Sequence, residues 1–265
     1  MGMIKSAITN HQIIIQMIKR EILSRYRGSV LGLLWSFFTP LLMLGVYTFF
    51  FSTVFKARWS EIETESYSSY TLILFVGLII HTLFAECINR APLLITGNVN
   101  FVKKVVFPLE VLPWITMGSA LFHAGISLVV LLLGQLLLCG HLAWTILLFP
   151  VILAPYLLML MGFLWFLASM GVYLRDITQT TGLITSVLLF ISPVFYSLEM
   201  LPAKMRMLAM LNPLTVIIIE SRKVLLFSEM PNWNALKVYS VCSIVIVWMG
   251  FIVFQKTRKG FADVL

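Results

Sequence analysis

Residues 24 to 40 read SRYRGSVLGLLWSFFTP, and the chemistry of the chain starts there. Arg25 and Arg27 flank Tyr26 and are followed by Gly28, just where the sequence turns apolar. Guanidinium is planar and always charged, and it binds phosphate through paired donors. Arginines beside a membrane span also act as plain orientation anchors, and the two roles can coexist. Gly28 lets the chain turn without a Cβ clash. Tyr26 can sit at headgroup depth.

Polar residues also recur inside the apolar stretches. Ser29, Gly32, Ser36, Thr39, Met43 and Tyr47 follow one another at spacings of 3, 4, 3, 4 and 4, one face of a helix. Thr178, Thr181, Thr185, Ser192 and Tyr196 form a second such stripe. Two readings stand. Small residues favour close helix packing, and Ser and Thr can bond their own helix. Polar groups in lipid also mark the wall of a conduit. Trp35, Tyr47, Phe195 and Tyr196 lie on or near the stripes, where aromatic faces could let sugar rings slide past.

Other chemistry is missing from the sequence. No glycine is followed by lysine, so there is no phosphate-binding loop of the Walker type. HExxH and GxSxG are absent. His81 and His123 stand apart from Glu86 and Glu110 at spacings that suit no metal. Movement of a substrate would draw energy from a partner or from ion coupling, and ion coupling places acids in mid-membrane, where none is evident. Cys87, Cys139 and Cys242 are far apart, odd in number, and read as packing residues.

The elements that position these residues follow from composition. Of the 265 residues, 60% are hydrophobic and 11% charged, where a soluble domain carries about 25% charged residues. The chain reads as a membrane protein, and its net charge of +8 as loop sorting and lipid contact rather than nucleic-acid binding. Six apolar stretches, about 29–55, 66–85, 105–139, 142–174, 177–196 and 235–254, are candidate spans. The Lys and Arg residues concentrate on the side that holds both termini, which makes that side cytoplasmic. Residues 1–27 place Ile4, Ile8, His11, Ile15, Ile18 and Ile22 on one face, an amphipathic helix lying on lipid or packed on protein. Asn89 to Pro108 carries Pro92, Gly97 and asparagines, which suits a short helix across the inner surface. Residues 198–234 suit two short amphipathic helices broken near Asn212-Pro213.

The runs RYRGSVLGLLWSFFTPLL, FVKKVVFPLEVLP, VYLRDITQ and SPVFY…LP…LNPL resemble permease subunits of type-2 ABC exporters of polysaccharide. The resemblance covers roughly residues 10 to 260. It is nearest to O-antigen exporter permeases, with capsule and teichoic-acid exporter permeases next.

The resemblance implies an all-α, six-span permease domain over 28–258 and a cytoplasmic tail at 259–265. It implies a homodimer in a bacterial inner membrane, working with two copies of a separate ATPase that binds ATP and Mg. The chain itself would hold no cofactor and no catalytic residue. Undecaprenyl-pyrophosphate-linked polysaccharide would move from the cytoplasmic to the outer face.

By the same resemblance, residues 1–27 form a gate helix, 89–104 a coupling helix and 198–233 periplasmic gate helices. Coupling to the ATPase falls to Asn89, Arg90, Asn98, Asn100, Lys103 and Lys104. The channel is lined by Ser29, Gly32, Ser36, Thr39, Met43, Tyr47, Thr181, Thr185, Ser192 and Tyr196. The lipid pyrophosphate arrives at Arg25, Arg27, Tyr26 and Gly28. Two alternatives remain. One is a related permease exporting a small drug or haem-like molecule. The other is a membrane polyprenyl-phosphate glycosyltransferase, which needs acidic metal-binding pairs where this chain has isolated Glu86, Asp176 and Asp263.

Overall fold

The computed structural model describes residues 3–50, 67–103 and 107–265, and every regular element among them is helical. In chain order the α-helices are α1 (Met3–Thr9), α2 (His11–Arg25), α3 (Trp35–Tyr47), α4 (Tyr67–Arg90), α5 (Leu93–Thr96), α6 (Val99–Lys103) and α7 (Leu112–Cys139). They continue with α8 (Phe149–Tyr173), α9 (Ile177–Ile191), α10 (Ala203–Leu211), α11 (Pro213–Leu225), α12 (Trp233–Thr257) and α13 (Phe261–Val264).

Among the described residues, five helical stretches are long and apolar enough to cross a membrane. They are Gly32–Phe50, Tyr70–Arg90, Leu109–Cys139, Trp144–Tyr173 and Trp233–Val264. The expected span at 177–196 is shorter. Its helix α9 ends at Ile191 after 15 residues, about 22 Å at 1.5 Å per residue against a hydrocarbon core of about 30 Å. The cause is local: Pro193 has no N–H, and it disfavours helix at Ser192, which is extended. The far end of the expected first span, residues 51–55, lies outside the described residues, as do Lys56, Arg58 and the acids Glu61, Glu63 and Glu65.

The N-terminal helix is two helices that meet at Asn10. Its inward face is Ile14, Met17, Ile18 and Ile22, packed on the bundle through α7. Ile8 and Ile15, expected on the same apolar face, are exposed. The helix is therefore apolar on two sides, one of which meets protein.

The helices that follow α9 also divide. α10 leaves Met205, Met207, Leu208 and Leu211 exposed. α11 is buried instead: Leu214, Ile217, Ile218 and Val224 are fully enclosed, and α4 and α8 pack against it. Asn212 joins the two helices, with its side chain accepting from the Leu214 N–H at 2.9 Å.

Helices α8 and α12 make the closest crossing. A Cβ on Gly250 would stand 2.1 Å from the Gly162 carbonyl oxygen, so only glycine permits this approach. Gly250→Val therefore costs about 3 kcal/mol or more, the upper range for overpacking, because backbone must move. Thermal unfolding of the purified protein in detergent measures it. Gly125→Ala, where a Cβ would meet open space, leaves the midpoint where it was.

Candidate functional site

The chain ends α2 at Arg25 and reaches α3 through two glycines with positive φ, Gly28 at 86° and Gly32 at 50°. Other residues adopt that region at a cost, so the glycines set the sharp entry into α3. The end of α2 and the turn bring Arg25 to the last turns of α4 and Tyr26 to His123 within α7. Arg25 Nη1 donates to Glu86 Oε1 at 2.7 Å. Arg90, four residues on from Glu86, shares the same oxygen at 3.4 Å. Arg90 also pairs with Glu21 of α2. One carboxylate on α4 thus holds two guanidiniums, and the network ties α2 to α4.

Tyr26 faces α7. Its hydroxyl is 3.4 Å from His123 Nδ1, and the two rings meet edge to face with centroids 6.0 Å apart. Burial lifts the Tyr26 phenol above its ordinary range, against the opposing pull of Arg25. The hydroxyl therefore stays protonated at neutral pH. Arg27 is exposed and forms no ion pair among the described residues.

Beyond this cluster runs a groove of about 310 Å³ between α3, α4 and α7. Arg25, Tyr26, Glu86 and His123 stand at its charged end. Ser36, Thr39, Met43 and Tyr47 line its α3 wall, so four of the six residues of the first stripe share one groove. Ser29 and Gly32 lie before it, in the turn. On the opposite side of α3, a second groove of about 600 Å³ is almost wholly apolar, walled by Leu33, Phe37, Leu121 and Phe122 among others.

The second stripe behaves differently. Thr181, Thr185 and Ser192 are buried within this chain. Thr185 Oγ1 is 3.2 Å from Asn89 Oδ1, and the Thr185 carbonyl pairs with His81 Nε2 at 2.9 Å. Ser192 Oγ accepts from Asn212 Nδ2 at 2.8 Å. The Tyr196 hydroxyl donates to the Ile191 carbonyl at 2.6 Å. Thr185 and Ser192 thus join α9 to its neighbours, while Thr181 and Tyr196 bond carbonyls of α9 itself. Leu183, Ile184, Val187 and Phe190 of α9 are exposed, with Gln179, Thr180 and Ser186.

The family profile described as ABC-2 type transporter matches residues 12–226. The chain belongs to this family. Among its relatives is the O-antigen export system permease protein RfbA of Myxococcus xanthus, 27% identical over 254 residues, covering 95% of this chain and 94% of the relative. RfbA of Klebsiella pneumoniae is 25% identical over 248 residues, covering 93% and 92%. The capsule polysaccharide export inner-membrane protein BexB of Haemophilus influenzae is 24% identical over 259 residues, covering 94% and 92%.

In this ABC-2 chain the expected coupling helix over 89–104 is not one helix. Asn89 and Arg90 form the last turn of α4, half-buried and engaged by Thr185 and by Glu86 and Glu21. Gly97 and Asn98 separate the short helices α5 and α6. Asn98 donates to the Leu94 carbonyl at 2.9 Å, while Asn100 and Lys103 are exposed. Lys104 lies outside the described residues.

Three charged residues were not singled out as site residues by sequence. Glu86 is the hub of the arginine cluster, and its only local signal is Arg90 four residues on. Arg222, expected in an outer loop, is 3% exposed and donates to the carbonyls of Ile73, Pro193 and Val194 at 3.0, 2.6 and 2.9 Å. Glu110 is buried where both chain ends meet.

Glu86→Ala should loosen the end of α2, because it leaves two guanidiniums without their shared carboxylate. Limited trypsin digestion followed by mass spectrometry should show faster cleavage after Arg25 and Arg27. Cleavage at the wild-type rate would mean that the network does not anchor α2.

Proposed function

We propose that this chain is the channel-forming permease subunit of an ATP-driven exporter of lipid-linked polysaccharide. It works as a homodimer with two copies of a separate ATPase subunit. Substrate on undecaprenyl pyrophosphate enters from the cytoplasmic face, where both termini lie, and leaves at the outer face of a bacterial inner membrane. ATP and Mg are held by the ATPase.

The observation that carries this reading is the arginine cluster opening onto a groove lined by the first stripe. Relatives named for export of O-antigen and capsule polysaccharide support the substrate class. The charged end offers paired donors to a phosphate. Glu86 stands between Arg25 and Arg90, so a phosphate that takes Arg25 leaves Glu86 with Arg90 still beside it. Arg27 is exposed and adds a second cation at the same turn. The apolar groove on the other side of α3 suits the hydrocarbon of such a lipid, and the hydroxyl- and aromatic-lined groove suits sugar. The exposed Asn100 and Lys103, with Lys104 beyond them, form the ATPase seat. The exposed apolar faces of α3 and α9 meet the second subunit.

Charge-assisted hydrogen bonds contribute about 1.5–3 kcal/mol each, so Arg25→Ala with Arg27→Ala should lower export roughly tenfold or more. Surface polysaccharide is measured in cells, with membrane level and ATPase association held at wild type. Export at the wild-type rate would reduce the pair to orientation anchors.

A further inference from the structure

Three parts of the chain distant in sequence converge on Glu110. The residue is 5% exposed, and both carboxylate oxygens are engaged. Oε1 accepts from the Ser6 hydroxyl at 3.2 Å, and Oε2 accepts from Arg258 Nη1 at 2.6 Å. Its backbone carbonyl accepts from Trp165 Nε1 at 3.3 Å. Ser6 belongs to α1, Trp165 to α8, and Arg258 to the turn that follows α12. One side chain therefore joins α1 to the turn that follows α12.

The segment before Glu110 rests on α6. Phe107 stacks on Phe101 of α6, with ring centroids 4.6 Å apart and planes 17° apart. The C-terminal helix α13 also packs on α6. It is held by Phe261, fully buried between Tyr173 and Phe254. A displacement of α6 thus bears on both the segment that carries Glu110 and the tail that carries Arg258.

Stability alone gives little reason for an acid here. The acid is buried while Arg258 is 36% exposed, so the pair gains little over apolar packing, and such pairs are attested best as devices that fix one arrangement. The arrangement it fixes is that of α1, whose 7 residues are too few to hold a helix by themselves. From α1 the chain runs through α2 directly to Arg25.

We propose that Glu110 is a positioning residue for transport, which passes displacement of α6 to α1 and α2 and so to the arginine cluster. The proposal rests on the reading of α6 as the ATPase seat. Glu110 touches no substrate. It acts through Ser6 and Arg258, and breaking either link uncouples ATP hydrolysis from the movement of α2.

The test uses the full chain co-expressed with its cognate ATPase. In Glu110→Gln the complex should co-purify and hydrolyse ATP at close to the wild-type rate. Export should fall roughly tenfold or more, within the usual range of coupling between sites. Glu110→Arg combined with Arg258→Glu should restore part of the loss. Wild-type export in Glu110→Gln would overturn the proposal. So would a loss of assembly and ATP turnover in step with export, which would make Glu110 a folding residue. If Glu110→Gln does not reach the membrane, Ser6→Ala keeps the ion pair and carries the same test.

A second arm makes no reference to any polymer. Spin labels at Ile8→Cys and Met249→Cys, both exposed positions, report α1 against α12 once Cys139 and Cys242 are replaced by serine. ATP should shift the distance in the otherwise wild-type chain and not in Glu110→Gln. An equal shift in both, or none in either, would overturn the joint. A labelled chain that shows the shift but never exports polysaccharide would overturn the substrate reading alone.

Discussion

Hydrocarbon offers no water to a polar atom, and the arrangement of this chain depends on that constraint. A buried polar side chain gains most by finding a partner in the chain, and where such partners are found they are the bolts of the bundle. Arg222 is the strongest case. Its guanidinium reaches one carbonyl on α4 and two on the segment after α9, so three pieces of the bundle are fixed by one side chain. Tyr156 does the same on a smaller scale, donating to the Ile80 carbonyl at 2.8 Å and joining α8 to α4. Thr145 donates to the Val224 carbonyl at 2.6 Å and closes α11 onto the start of α8. Apolar contact between helices is nearly neutral against lipid, so these bonds and the close glycine crossing of α8 and α12 decide which helices are neighbours.

The same constraint explains what could be read from the sequence and what could not. Apolar length locates the long helices, because crossing lipid needs a set number of residues. Proline and glycine mark the breaks at Asn212-Pro213, at Gly97 and at the turn before α3. Periodicity shows that Thr181, Thr185 and Ser192 share a face. It does not show what stands opposite, and here the neighbours are Asn89 and Asn212 of the same chain. Charge was misleading in α11. Glu220, Arg222 and Lys223 suggest a surface helix, yet the first two are buried and satisfied by bonds to distant backbone or a neighbouring lysine.

The arginine cluster shows the same division. The local signal RYRG marks where charge meets oil, and the glycine conformation follows from residue type. The hub, Glu86, is 61 residues away from Arg25, and His123 is 97 away from Tyr26. Glu110 is further removed still, at separations of 104 and 148 from its two partners. No pattern within a helix announces contacts of this range. They emerge only when packing brings distant helices together.

The central claim is that this ABC-2 chain carries polysaccharide across the membrane on a lipid. The most direct measurement is the location of the polymer in cells from which the chain has been removed, set against cells given it back. The account predicts that surface polysaccharide disappears, that lipid-linked polymer accumulates on the cytoplasmic side, and that the restored chain reverses both. Undiminished polymer at the surface of cells without the chain would contradict it.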